Sequence, residues 1–362
     1  MSVTKKDIFK HYGASVLIYG FLFLVIALCP FFNEGIDTLG FNYTDFFLIY
    51  YLLYVAIAPI VLLITKPESV LKSRSIAVLS YIKRQFRLNI SLEERINNIE
   101  PKENEKESFV IFFMQTFFGV FCINILCNKI IPSLGYDFDF LKEMFSQAVQ
   151  YAHTNGFFLG IMQYIDDTDD MWVTLMLGVI TIVMAISYLT ETNILKNKIK
   201  TIDTTAFGII SCIMCYYPLK AITEKIIPTY SSDMVEIDNM YIRISISILL
   251  LIAEFVITLS VLRLGTKSGN LTNRGIVTGF PYNIIRHPNY AMQMFMLILL
   301  NIPMYMDGGF SIFEKVLYTF GIICWIIIYY YRAITEERNL IKDSDYKNYC
   351  EKVKYRFLPK VF

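Results

Sequence analysis

Long apolar stretches alternate with short polar ones along this chain. Eight of the apolar stretches can each cross roughly 30 Å of hydrocarbon as a helix of about 20 residues: 13–32, 46–65, 109–128, 171–189, 204–222, 242–262, 290–306 and 312–334. The seventh is short and holds Asn301 and Pro303, so it is expected to tilt, kink or pack among its neighbours. No small-residue cleavage site follows the first, which makes it an anchor and not a removed signal peptide. The pattern predicts an all-α, polytopic membrane helical bundle of about eight transmembrane helices.

The polar segments alternate in charge. Lys5, Lys6 and Lys10 precede the first span, and the loop after it has Glu34, Asp37 and Asp45 with no Lys or Arg. The second loop is basic, with Lys66, Lys72, Arg74, Lys83, Arg84, Arg87 and Arg95; the third carries Asp137, Asp139, Asp166, Asp167, Asp169 and Asp170. Lys196, Lys198 and Lys200 make the fourth basic again, the fifth is mixed, the sixth holds Arg263, Lys267, Arg274 and Arg286, and the tail is rich in Lys and Arg. Basic segments on one side place both termini in the cytoplasm. An apolar run at 149–165 would break this parity as a re-entrant or ninth span; an amphipathic segment on the outer surface keeps it. Residues 66–108 form a cytoplasmic insertion, with 70–95 reading as a surface helix near anionic lipid and 100–103 as a flexible link. The chain thus divides into an N-terminal membrane region, 1–254, with an outer segment at 129–170, and a second region, 255–362.

Composition agrees: 55% of the 362 residues are hydrophobic and 18% charged, too apolar for an ordinary soluble enzyme. A net charge of +1, without a basic patch interleaved with aromatics, excludes nucleic acid as a partner. Cys212 and Cys215 have ligand spacing, but no second pair or nearby His completes a metal site, and three His exclude a His-rich centre.

The chemistry gathers near the C-terminal end. The segment from Arg263 to Arg286 contains Gly265, Gly269, Gly275 and Gly279, which lets backbone approach a ligand, although a plain connector explains the same glycines. Arg286, His287 and Tyr290 then cluster at a helix N-terminus, where free N–H groups and the dipole favour an anion. Arg332 and Glu336 share one face of the eighth span. A snorkelling pair is the plain reading, yet the dipole disfavours two carboxylates, Glu336 and Glu337, in a last helical turn. A ligand carrying both an ammonium and a carboxylate answers both ends of the cluster.

These residues resemble the isoprenylcysteine carboxyl methyltransferase family and, more distantly, the phospholipid methyltransferases. The resemblance rests on Ile276-Val277-Thr278, Tyr282, Arg286-His287-Pro288-Asn289-Tyr290, Arg332, Glu336-Glu337, and Tyr346, Tyr349, Val353 and Arg356-Phe357-Leu358-Pro359. It covers about 255–362. Gly279-Phe280-Pro281-Tyr282 is one residue longer than the family's Gly-x-Tyr, and Ala291-Met292 replaces its small residue. The resemblance implies a cytoplasm-facing S-adenosylmethionine site contacted by Lys267, Arg274, Gly275, Ile276, Val277, Tyr282, His287, Pro288, Asn289, Tyr290 and Glu336. It implies that Arg332 faces the methyl acceptor, a lipidic or prenylated molecule drawn from the membrane lipids, and pairs with its carboxylate. An amine acceptor would need a base, for which Glu337 or Tyr290 is the candidate.

Two other readings stay open. Membrane sterol reductases share Arg-His-Pro-Asn-Tyr and a closing pattern similar to 349–359, which would make the chain an NADPH-dependent reductase. A transporter would place its polar residues near the membrane midplane.

Overall fold

A computed structural model describes residues 3–28, 35–36, 41–86, 103–135, 138–230, 237–306 and 308–360. The chain forms two compact units, Met1–Gln115 and Thr116–Phe362.

In the first unit, α1 (Lys5–Leu28) and α2 (Tyr43–Thr65) pack antiparallel. Tyr12 donates to the carbonyl of Val55 (2.8 Å), and Tyr51 stacks on Phe23 with centroids 6.3 Å apart. Strands β1 (Gly35–Ile36) and β2 (Phe41–Asn42) form a small antiparallel hairpin between them. Helix α3 (Arg74–Gln85) is capped by Ser73, whose hydroxyl accepts from Ile76 N (3.3 Å) and meets His11 Nδ1 at 2.7 Å. Of the segment 70–95, read as a surface helix, the described residues show this 12-residue helix; 87–95 and the link at 100–102 lie outside the described residues, and Glu103 is already helical. Helix α4 (Glu103–Ile125) begins before the span predicted at 109, because its charged first turn is still helical.

The second unit opens at Thr116, within α4, and continues with α5 (Phe138–Asn155) and α6 (Phe157–Leu189), an antiparallel helical pair joined at Gly156. Gly156 has φ +103°, a conformation that favours glycine, and a Cβ on Gly160 would meet the Ala148 carbonyl at 2.7 Å. Two expectations change here. The run 149–165 is not one continuous segment but is divided at Gly156 between these two helices. Asp166, Asp167, Asp169 and Asp170 are not in a loop but inside α6, because nothing in its 33 residues breaks the helix. At 1.5 Å per residue α6 is about 50 Å long, so it outreaches a bilayer core of roughly 30 Å. The acidic turn lies where a span ending at Leu189 would leave that core. There Arg243 clamps Asp166 with Nη2–Oδ2 at 2.6 Å and Nε–Oδ1 at 2.9 Å.

The expected fifth span is broken. Helices α7 (Ala206–Ile213) and α8 (Leu219–Ile226) flank a turn at 214–218, where Pro218 removes a ladder donor. Helix α9 (Met240–Leu264) packs beside α6, and α10 (Pro288–Leu300) packs against α9. The seventh apolar stretch breaks at the buried Asn301, whose amide turns back to the Leu297 carbonyl (2.7 Å), before α11 (Ile302–Met306). Helix α12 (Ile312–Leu340) starts with a reciprocal Ser311–Glu314 cap, and α13 (Ser344–Lys352) follows. Strand β3 (Thr201–Ile202) pairs antiparallel with β4 (Thr272–Asn273), pinning the glycine-containing loop. Among the described residues, six helices are long and apolar enough to cross a membrane. The fifth and seventh predicted spans are not among them, because each is interrupted. The fold is that of an all-α bundle of multi-pass membrane character.

Candidate functional site

A cavity of about 500 Å³ lies in the second unit among α6, α9, α10 and α12, roofed by the loop 265–287. Lys267, Arg274, Gly275, Ile276, Val277, Tyr282, His287, Pro288, Asn289, Tyr290 and Glu336 all line it. Residues scattered over 70 positions therefore face one space, and the loop does most of the gathering.

That loop is fixed by its surroundings. Gly265, with φ +54°, ends α9, and Ser187 donates to the Thr266 carbonyl at 2.9 Å. Arg274, which lines the cavity, also reaches across to the carbonyls of Ser187 (2.8 Å) and Asn197 (3.1 Å), so its charge braces the end of α6. Gly275 sits at φ +102°, and a Cβ there would meet Lys267 Nζ at 3.2 Å. Beyond it, Tyr349 donates to the Tyr282 carbonyl (2.6 Å), and the amides of Arg286 and His287 bond to the Tyr355 and Arg356 carbonyls, both at 2.9 Å. The C-terminal segment thus clamps the loop from behind. Burial pushes the Tyr282 and Tyr346 hydroxyls above their ordinary range, so both stay neutral at physiological pH.

The two adjacent carboxylates have different surroundings. Consecutive helical residues are about 100° apart, so one side of α12 presents Glu336 and the next Glu337. Glu336 lines the cavity and accepts a hydrogen bond from Tyr290 Oη. Glu337 is not among the lining residues. Arg286 Nε lies 2.8 Å from one of its oxygens, Arg356 Nε 2.9 Å from the other, and His287 Nε2 is at 3.1 Å. Three partners occupy this carboxylate, so its place as a base for an amine acceptor is not what the geometry offers. It instead ties the start of α10 and the C-terminal segment to α12.

Arg332 also departs from expectation. It is 1% exposed and does not line the cavity. Its guanidinium lies over the rings of Tyr290 (4.7 Å), Tyr216 (5.2 Å) and Tyr329 (5.6 Å) and donates to Tyr216 Oη and Asn270 Oδ1, both at 3.1 Å. Among the described residues its Nε has no hydrogen-bond partner. A carboxylate in the cavity would therefore feel this charge through the tyrosine wall without touching it.

The wall residues are what the sequence reading missed. Tyr188 Oη accepts from both the backbone N (2.7 Å) and Nδ2 (2.9 Å) of Asn270, and Phe118 stacks on Tyr188 with centroids 4.8 Å apart. Asn270 lies inside the glycine-containing loop, a signal that pointed to the right segment. Tyr188 and Tyr216 sit in apolar runs where an aromatic is unremarkable.

From this polar end the cavity continues between apolar side chains, among them Ile180, Met184, Ile257, Met296 and Leu297. It is a cleft with a few convergent polar groups and a long apolar limb, the form of a small-molecule site. No family model, curated protein or solved structure matches the chain.

Proposed function

We propose that the chain is an integral membrane methyltransferase that uses S-adenosylmethionine and acts on a lipidic or prenylated acceptor. The observation that carries this reading is the convergence of Glu336, Lys267 and the N-terminus of α10 on one cavity that continues into an apolar limb. The donor set suits the cofactor. Glu336 offers charge to an ammonium, Lys267 and the helix start offer charge and N–H groups to a carboxylate, and Tyr282 and Tyr290 offer aromatic faces. The volume falls in the range of small-molecule sites.

S-adenosylmethionine, when bound, supplies a methyl carbon on a positively charged sulfur. The residues of this chain orient and exclude water. Positioning of this kind can supply about 7–11 kcal/mol of a barrier. Tyr290 holds Glu336 in place by a hydrogen bond, and Arg332 sets the potential behind it. A carboxylate acceptor needs no base. With Glu337 saturated, an amine acceptor would have to lose its proton to another group, which favours O-methylation.

The same reading completes the topology. The broken passages at 204–222 and 288–306 count with the six long helices as eight crossings, with both termini and the loop 265–287 in the cytoplasm. A water-soluble cofactor then enters from the cytoplasm and the acceptor from the bilayer. The test is transfer of radiolabelled methyl from S-adenosylmethionine to extracted membrane lipids and prenylcysteine analogues by the purified protein. Label in the organic phase that disappears with Glu336→Gln is expected. Stereospecific hydride transfer from NADPH to a sterol, with no methyl transfer, would assign the chain to the reductase reading.

A further inference from the structure

Glu254 is an ionisable side chain in the apolar limb that the proposed chemistry does not use. Glu254 lies on α9, on the same face as Ile257, Val261 and Leu264, and all four line the cavity. Ten residues separate it from Leu264, so it sits about 15 Å along the helix from the polar end. That places it near the middle of the 25-residue α9. It is 7% exposed, and no hydrogen bond or ion pair from the described residues reaches its carboxylate.

Its neighbours are otherwise engaged. The Thr181 hydroxyl donates to the Leu177 carbonyl (2.7 Å), and the Thr258 hydroxyl to the backbone carbonyl of Glu254 itself (2.9 Å). Lys129, the charge that bears on Glu254, is exposed on a π-helical turn and does not line the cavity. Glu224 and Lys220 also line the cavity, but they are paired with each other at 3.3 Å.

An ionised carboxyl group without a partner in a low-dielectric interior is costly. Within membrane spans such groups mark ligand or ion paths. A packing role would be served better by Gln or Leu. The surroundings narrow the ligand further. An aliphatic wall selects a hydrocarbon chain, and a lone carboxylate in it selects a cationic hydrogen-bond donor.

We propose that Glu254 binds the protonated amine of an amphiphilic ligand lying in the apolar limb. If the methyltransferase reading holds, on which this part rests, that ligand is the acceptor. Its amine is then an anchor, and a separate group reaches the polar end beside Tyr290 and Glu336.

The probes are dodecylamine and dodecanol, titrated into the full-length protein in non-ionic detergent. Dodecylamine affinity should fall about tenfold or more in Glu254→Gln, as for a lost charge-assisted contact, while dodecanol binding is unchanged. Glu254→Asp, which keeps the charge, should retain amine binding within a few-fold. Equal amine affinity in wild type and Glu254→Gln, or parallel loss of both probes, overturns the proposal. S-adenosylhomocysteine affinity is measured on the same samples. Its absence in wild type would overturn the methyltransferase reading and leave the amine site standing; the converse pattern would do the reverse.

Discussion

The two units differ in how far their polar side chains connect. Among the described residues of Met1–Gln115 the helices meet mainly through aromatic and aliphatic contacts, with short separate polar links: Tyr12 to Val55, Tyr51 to Val16, His11 to Ser73, Ser15 to Ser75 and the Arg84–Glu105 ion pair (3.3 Å). The most apolar stretch of α2 is not buried within the structure at all, as suits a lipid-facing helix. In Thr116–Phe362 buried polar groups connect into chains. Tyr188 joins Asn270, Asn270 joins Arg332, Arg332 joins Tyr216, and Glu337 joins Arg286, His287 and Arg356. Buried polar groups are costly unless satisfied, and a connected set specifies one geometry. The contrast teaches where a rigid site is held and where a span only has to remain in lipid.

The largest effect expected from this contrast is at Glu337. Its replacement by Gln leaves Arg286 and Arg356 without a buried counter-charge and should cost about 3–5 kcal/mol, the range for breaking a buried pair from one side. Reversible unfolding in mixed detergent measures this. A loss below 1 kcal/mol would mean that the C-terminal clamp does not hold the loop. Tyr188→Phe comes next. It removes the oxygen that accepts twice from Asn270 and should cost about 1–3 kcal/mol, with cofactor affinity falling in step as the loop loosens.

How much of this was legible follows from the same contrast. The cavity-lining residues could be read because charged and aromatic groups at the ends of apolar runs stand out, and Lys267, His287, Tyr290 and Glu336 do line one cavity. The opposite facings of Glu336 and Glu337 could not be read. They depend on which side of α12 receives the 286–287 and 355–356 segments, a tertiary fact. Arg332 was legible as important but not as buried, since its cage comes from Tyr216 in a turn that hydropathy presented as part of a span. The same smoothing hid the breaks at 214–218 and Asn301. It also placed the acidic turn of α6 in a loop, because hydropathy registers leaving the membrane and not leaving the helix.

Smaller effects sharpen the comparison. Ser75→Ala removes one part-buried hydroxyl contact with Ser15 (2.7 Å) and should cost about 1 kcal/mol or less, with no change in ligand binding. Asp343, at the start of α13, accepts from Asn273 Nδ2 (3.0 Å) and Lys200 Nζ (3.1 Å). The Asn273 bond holds its carboxyl below the usual range. A lowered folded value gives stability that is complete above the unfolded carboxyl value of about 3.9 and is lost as pH falls through the folded one. Wild type should therefore lose stability relative to Asp343→Asn only below about pH 4. A difference that vanishes near neutrality instead would show that Asp343 does not pin β4.

The central claim is that the cavity under the 265–287 loop is an S-adenosylmethionine site whose ammonium partner is Glu336. Calorimetric titration of S-adenosylhomocysteine into the purified wild-type protein and into Glu336→Gln tests it most directly. Saturable binding to wild type, weakened by about 1.5–3 kcal/mol in the variant with its melting unchanged, is the expected result. No binding to wild type, or equal binding to both proteins, would contradict it.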